Sequence, residues 1–199
     1  MASFGGDFLD QASLRSLGLA HLGKGVLIHP TVIIVGLENL SIGDFSRVDA
    51  HSVILANGPV SIGRNVHIGA GGYIAGGAGV EIADFANFSQ GVRIYSVSDD
   101  YSGGSMTNPT VPAAFTDVTK APVVIGRHVI IGSGSVVLPR ADVGEGCAIG
   151  ALSLVNRSLA PWGLYAGTPV RLIRERRRDL LALEKRYLAS EKALPASDS

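Results

Sequence analysis

The sequence predicts an all-β solenoid, a parallel β-helix of hexapeptide repeats with a short N-terminal helix and a C-terminal α-helix. Three observations predict it. Residues 125–160, written in sixes, read IGRHVI, IGSGSV, VLPRAD, VGEGCA, IGALSL and VNRSLA, so Ile125, Ile131, Val137, Val143, Ile149 and Val155 lead successive units. A period of six is neither the 3.6 of an amphipathic helix nor plain alternation, and it marks a repeat architecture whose short strands form the faces of a triangular prism. Next, an entry phrase of apolar, any, Ile, small recurs at 40–43, 60–63, 80–83 and 123–126. Finally, apolar residues make up 46% of the chain while aromatics make up 6%, which suits a narrow interior of Ile, Val, Leu and Ala. The 26 glycines suit its corners.

Taken in order, residues 1–25 form a capping segment in which 10–17 (DQASLRSL), followed by Gly18, predicts a short helix with an acidic N-cap and a glycine stop. A cap is needed because an open solenoid end exposes unpaired strand groups. The β-helix occupies 26–170. Its first entry phrases are twenty residues apart, two more than a bare coil of eighteen, so a small bulge is expected each turn near Asn57–Gly58 and Ala78–Gly79. From Ile125 to Val143 the spacing is eighteen. Between Ile82 and Ile125 it is 43, and the surplus falls in a polar loop at 96–122 without strand alternation. Long loops in compact domains are usually functional, which makes this one the first functional candidate. After the last hexads comes the phrase Tyr165-Ala166-Gly167-Thr168-Pro169. Residues 171–199 are expected to form a basic helix over about 172–193, with Leu180, Leu183, Tyr187 and Leu188 as its apolar positions, and a disordered tail beyond Leu194.

Composition excludes several classes. The formal net charge is zero, against a nucleic-acid binder. No apolar run is long enough for a membrane span, and no leader precedes the repeat. Cys147, the single cysteine, takes an inward slot and reads as a buried core thiol, in keeping with the reducing cytoplasm.

The hexads, the phrase YAGTPVRLIRER, RIYSVSDDYSGGSMTNPTVP and IGALSLVNRSLAPWGLYAGTPVRLI together resemble the left-handed β-helix acyltransferases, and most closely the sugar acetyltransferases of bacterial surface-polysaccharide pathways. The resemblance spans about 23–175. It implies left-handed coiling, a homotrimer, and acetyl-CoA as acyl donor in a groove between neighbouring prisms. It places Ser133 and Ala151 against the pantetheine arm, Asn156 and Arg157 as polar and basic contacts, and Arg171 and Arg174 near the nucleotide phosphates. Guanidinium groups suit phosphate. Arg176, Arg177 and Arg178 are expected to face solvent.

The galactoside and maltose enzymes of this family carry a histidine base at the loop entrance, where this chain has Asp99, and their acceptor-binding Asn and Asp fall on Gly69 and on Gly76 or Gly77. An amine acceptor needs less assistance than a hydroxyl, so the missing histidine tilts the acceptor toward an amino sugar. Asp99 and Asp100 are candidate bases, able to raise one another's pKa if both are buried. His67 is the alternative base; it should point outward in a column with Arg47, Asn87, Ile130 and Ala148. His51 is a weaker outward candidate, His29 and His128 read as exposed polar positions, and His21 belongs to the cap. Tyr101, Ser102 and Asn108 of the loop are candidate substrate contacts. The histidines show no short pair of the kind a zinc site needs, so no metal is expected. The resulting reading is a homotrimeric, cytoplasmic acetyl-CoA-dependent acetyltransferase acting on a sugar or nucleotide-linked sugar for a surface polysaccharide. A non-catalytic scaffold that lost its histidine is the alternative.

Overall fold

A computed structural model describes residues 8–193; the tail expected beyond Leu194 lies outside them. Three ladders of parallel strands build a prism. Face 1 stacks His21–Leu22, Leu40–Ile42, Val60–Ile62, Val80–Ile82, Val123–Ile125 and Asp142–Val143. Face 2 stacks Leu27–Ile28, Arg47–Val48, His67–Ile68, Asn87–Phe88, Ile130–Ile131, Ala148–Ile149 and Gly163–Ala166. Face 3 stacks Ile33–Val35, Val53–Leu55, Tyr73–Ala75, Arg93–Tyr95, Val136–Val137 and Leu154–Val155.

The hexad leaders point inward as the repeat demands. Ile125, Ile131, Val137, Val143 and Val155 are fully buried, and Phe88 is the one aromatic ring among the largest fully buried side chains. Each fully buried aliphatic of this kind contributes about 1.5–3 kcal/mol. Serines at inward corner slots are buried without cost because they bond corner carbonyls, as Ser46 Oγ does to Gly63 O at 2.7 Å. Register follows the entry phrases: Val80 pairs with Val60 and, across the loop, with Val123. The two extra residues of the early coils lie in the stacked corners between faces 3 and 1, where a Cβ on Gly58 would come within 2.9 Å of the Gly76 carbonyl.

The bottom is closed by helix α1, Gln11–Ser16. Asp10 caps it by accepting from Ser13 N at 2.7 Å, and Leu14 inserts fully buried into the core. At the top, Arg171–Glu175 is a strand, not the start of a helix. It runs antiparallel to Gly163–Ala166, whose edge would otherwise be unpaired, and that edge outweighs local helix propensity. Helix α2 begins only at Leu180 and ends at Ala193.

Of the apolar positions expected in α2, Leu180 and Leu188 are half-buried and Tyr187 meets the corner between faces 1 and 2, where Glu184 and Glu191 also bind, while Leu183 is exposed. That corner presents a column of residues with positive φ, namely Phe45, Asn65, Phe85 and His128. Phe85 stacks on His128 with ring centroids 5.1 Å apart, and Tyr187 meets Phe85 edge-on. His128 is therefore buried under the helix and not an exposed polar position. Arg176 likewise does not face solvent: its Nη1 donates to the carbonyls of His128 and Gly146 at 2.8 and 2.9 Å. Arg177 and Arg178 do remain outside, the latter over the Trp162 ring.

Candidate active site

Outward residues of the three faces differ in chemistry. Face 1 shows Ser41, Ser61, Glu81, Val124 and Asp142 along one column. Face 2 shows Arg47, His67, Asn87, Ile130 and Ala148, the column expected for His67. Face 3 shows Ile33, Val53, Tyr73, Arg93, Val136 and Leu154, with Val35, Leu55, Ala75 and Tyr95 beside them, and is the apolar side of the prism.

His67 sits at the centre of a polar network on face 2. Its Nδ1 lies 2.9 Å from Asn87 Oδ1, and its Nε2 lies 2.9 Å from Asp49 Oδ2. Arg47 Nε completes the chain by donating to Asp49 Oδ1 at 2.6 Å. Burial by itself would raise the Asp49 carboxyl, but the bonds from His67 and Arg47 outweigh it and hold the group below the usual carboxylate range. Asp49 is one of the residues that sequence reading missed. The available signal was its separation of 18 from His67, about one coil.

Toward the corner between faces 2 and 3, register continues the column Asp49, Gly69, Ser89, Gly132 and Gly150 two residues after the paired strand positions. Ser89 is the second missed residue, a hydroxyl between glycines. One residue further on, Gln90, Ser133 and Ala151 stack, and Ser133 Oγ donates to Gln90 Oε1 at 3.3 Å. The corner backbones approach closely: a Cβ on Gly132 would lie 2.4 Å from Ala151 N.

Above this corner the AGTP segment folds back. Gly167 N donates to Ser153 Oγ and Thr168 Oγ1 donates to Leu152 O, which positions Pro169 and Val170 beside the last coil. Asn156, Arg157, Pro169, Val170 and Arg171 line a pocket of about 400 Å³, so three of the expected cofactor contacts come together. Arg157 Nη2 donates to Val170 O at 3.3 Å. Arg174 joins Arg171 on one side of its strand because of an irregularity. Arg174 pairs with Leu164 and Arg171 with Ala166, two positions that share a face, while a bulge at Ile173 absorbs the extra residue.

The loop leaves the corner between faces 3 and 1 on an antiparallel stalk, with Val97 paired to Lys120 and Ser98 to Thr119, so its base carries the strand pairing that its composition conceals. Asp100 organises the turn above. Its carboxylate accepts from Ser102 N at 2.7 Å and from Ser105 N and Oγ at 3.0 Å each. These bonds lower its pKa to about 2, the reverse of the mutual elevation expected for a buried Asp99–Asp100 pair. Asp99 is exposed beside it. Ser102 Oγ and Asn108 Oδ1 serve the loop's own turns, accepting from Gly104 N and Thr110 N, whereas Tyr101 stands 93% exposed. His51 lies exposed at a corner, away from the His67 network in bonding. Among the described residues no group of three His, Cys, Asp or Glu side chains converges as metal ligands, and no helix is long and apolar enough to cross a membrane.

Comparison with known proteins matches residues 122–157 to the bacterial transferase hexapeptide family (six repeats). The dTDP-4-amino-4,6-dideoxy-D-glucose acyltransferase of Escherichia coli is 40% identical over 184 residues, 92% of this chain and 96% of the relative. WbbJ of E. coli K12, a putative lipopolysaccharide biosynthesis O-acetyl transferase, is 28% identical over 74% of each chain. Among solved structures, AntD, an N-acyltransferase from Bacillus cereus in complex with dTDP and 3-hydroxybutyryl-CoA, superposes with a TM-score of 0.91 at 38% identity, covering 94% of this chain and 98% of that one. AntD has also been solved with substitutions at an aspartate and at a serine ten residues before it. A prism of stacked hexads with a single stalked loop and an AGTP-type closure, matched over nearly the whole length of such a relative, identifies the chain as an acyltransferase belonging to the left-handed β-helix, hexapeptide-repeat family of sugar acyltransferases.

Proposed function

We propose that the protein transfers an acyl group from acyl-CoA to the amino group of a nucleotide-linked, dTDP-type amino sugar. The observation that carries this reading is the loop, which offers the exposed carboxylate of Asp99 and no histidine across residues 96–122. An amine has a nucleophilic neutral form near neutrality, so a carboxylate that orients it and accepts its proton suffices, where a sugar hydroxyl would need a stronger base. AntD supports the assignment of a second group. Its altered serine and aspartate are ten residues apart, the separation between Ser89 and Asp99 here.

The functional unit is a homotrimer. A threefold ring has a heterologous interface, so the apolar face 3 of one protomer meets a different surface of the next. Face 3 is bounded by two corners. One carries Ser89, Gln90, Ser133 and Ala151; the other carries the loop. Each seam then brings the Ser89 corner of one protomer beside the Asp99 loop of its neighbour. CoA runs along Ser133 and Ala151 toward the Arg157–Arg171 pocket, with Arg174 on the same side for phosphate. Tyr101, at the loop's exposed turn, is the loop side chain best placed to contact the acceptor, while Ser102, Asn108 and Asp100 shape the loop. The donor is acetyl-CoA, and catalysis is cytoplasmic, where acyl-CoA is made. The product serves surface-polysaccharide assembly.

The test is thiol release from acetyl-CoA with dTDP-4-amino-4,6-dideoxyglucose against its 4-hydroxyl counterpart. Turnover with the amine alone is expected; turnover only with the hydroxyl sugar overturns N-transfer. A parallel series with 3-hydroxybutyryl-CoA fixes the acyl chain.

A further inference from the structure

Face 3 is apolar with one exception. Across its six strands Arg93 is the single charged residue, and it stands in register with Tyr73 on the coil below and Val136 on the coil above. Tyr95, two residues on, shares the outward side, and the Tyr73 and Tyr95 rings lie 5.6 Å apart, tilted by 38°. Among the described residues, neither the Arg93 guanidinium nor either phenol hydroxyl has a hydrogen-bond or ion-pair partner. The coil below, 69–79, is glycine and alanine apart from Tyr73 and the inward Ile74, so no long side chain of that coil flanks Tyr73 on the outer surface.

Resting on the reading of a dTDP-type amino sugar as acceptor, we propose that Arg93, with the Tyr73 and Tyr95 hydroxyls, binds a diphosphate, the one that links the acceptor sugar to its nucleoside. A guanidinium on an apolar seam needs an anionic partner, because a desolvated cation without one is strongly disfavoured. Position selects the anion. Ser89 and Asp99 bracket this strand on the same coil, and Arg93 opens it on the edge next to the Ser89 corner. Arg93 is four residues beyond Ser89, at most about 14 Å of extended chain, a separation that an arginine arm and a sugar phosphate together span. In a 4-amino pyranose the amine at C4 and the diphosphate at C1 lie at opposite ends of the ring, so an amine held at the Ser89 corner directs the diphosphate away from it. Donor number selects a diphosphate over a carboxylate from a neighbouring protomer. The two oxygens of a carboxylate are met in full by the guanidinium fork, whereas a diphosphate brings further oxygens that two phenol hydroxyls answer. The phosphates of CoA are assigned Arg171 and Arg174, on the closing strand at the top of the prism.

Calorimetry measures dTDP, inorganic pyrophosphate and CoA binding to full-length wild type, Arg93→Ala, Tyr73→Phe and Tyr95→Phe, with CoA saturating while the first two ligands are titrated. Arg93→Ala is expected to weaken dTDP and pyrophosphate at least about tenfold and to leave CoA within about twofold, which also reports an intact fold. Tyr73→Phe and Tyr95→Phe, which remove a hydroxyl and keep the ring, should each weaken dTDP about threefold to tenfold. In turnover the loss should appear in KM for the amino sugar nucleotide, with KM for acetyl-CoA unchanged. Unchanged dTDP affinity in Arg93→Ala overturns the proposal, and so does an equal loss of CoA affinity. A smaller mass for Arg93→Ala than for wild type by light scattering also overturns it, since the guanidinium is then held by a carboxylate of a neighbouring protomer. Wild type that binds pyrophosphate through Arg93 but does not turn over the amino sugar sinks the acceptor assignment and leaves the diphosphate site standing; wild type that binds neither dTDP nor pyrophosphate sinks both.

Discussion

Glu184 of helix α2 takes the ring of His128, with Nε2 at 3.0 Å, and the same carboxylate accepts from the guanidinium of Arg127. His128 in turn lies flat on Phe85, so one acidic residue locks the helix onto a corner made of left-handed backbone. The bond is largely shielded, since both Glu184 and His128 side chains are about nine-tenths buried.

Glu184→Ala should therefore cost more than a surface ion pair. We expect a loss of about 1–3 kcal/mol, from two hydrogen-bond donors left without their acceptor. Glu191→Ala removes a more open partner of Arg64 and should cost less. Thermal melts order the two, and limited proteolysis should release α2 first in Glu184→Ala.

Arg176 and Arg177 are adjacent and chemically alike, yet they should behave oppositely. Arg176 ties three backbone carbonyls, those of His128, Gly146 and Cys147, to the crossing strand. Arg177 pairs with Asp179 while 89% exposed. Arg176→Met should cost about 2–3 kcal/mol and Arg177→Met should fall within about 0.5 kcal/mol of wild type, read from denaturant midpoints.

What the sequence disclosed and what it hid divide along physical lines. The hexad leaders and the coil spacing are local and periodic, so the core, the register and the His67 column were legible. The strand Arg171–Glu175 was not, because it is stabilised by the edge of Gly163–Ala166 and not by its own pattern. Helix α2 showed its docking face only in part: Leu180, Tyr187 and Leu188 follow the apolar spacing, whereas Glu184 and Glu191 bind by charge and hydrogen bonds, which leave no hydrophobic signature. The Asp49–His67 contact appears only when coils stack, and the turn made by Asp100 looks in sequence like a pair of carboxylates available for catalysis.

That turn gives a pH prediction. The Asp100 carboxyl is lowered from 3.8 to about 2 in the folded loop, so the folded form is favoured while the group is ionised. Its contribution is fully present above about pH 4 and is lost as pH falls toward 2. NMR shifts of the Ser102 and Ser105 amides should report the turn through neutral pH and collapse across that interval. Asp100→Asn should loosen the loop relative to wild type above about pH 4 and reduce kcat, since the adjacent Asp99 loses its anchored backbone.

Cys147 should be silent. Its thiol is fully buried, and burial pushes its pKa up, while Sγ bonds Ala160 O at 3.1 Å. Alkylation by iodoacetamide at pH 8 should be negligible in native protein and stoichiometric after denaturation, leaving CoA thiol as the sole signal in a thiol-release assay. Native labelling at the unfolded rate would show that the top coil opens.

Face 3 provides the sharpest test of assembly. Val53 lies in its outward column between Ile33 and Tyr73, whereas Ser61 occupies the corresponding outward column of polar face 1. In the proposed trimer a carboxylate at Val53 would be buried against an apolar neighbour, a cost of several kcal/mol repeated at three seams. Val53→Glu should shift the mass by light scattering from three times 20.6 kDa to a single chain, with circular dichroism unchanged. Ser61→Glu should leave the trimer intact. Because the proposed assembly brings Ser89 and Asp99 together only across a seam, Val53→Glu should also lose turnover while each prism stays folded. A Val53→Glu enzyme that remains trimeric would place the interface elsewhere, and a fully active monomer would put Ser89, Asp99 and CoA within one chain.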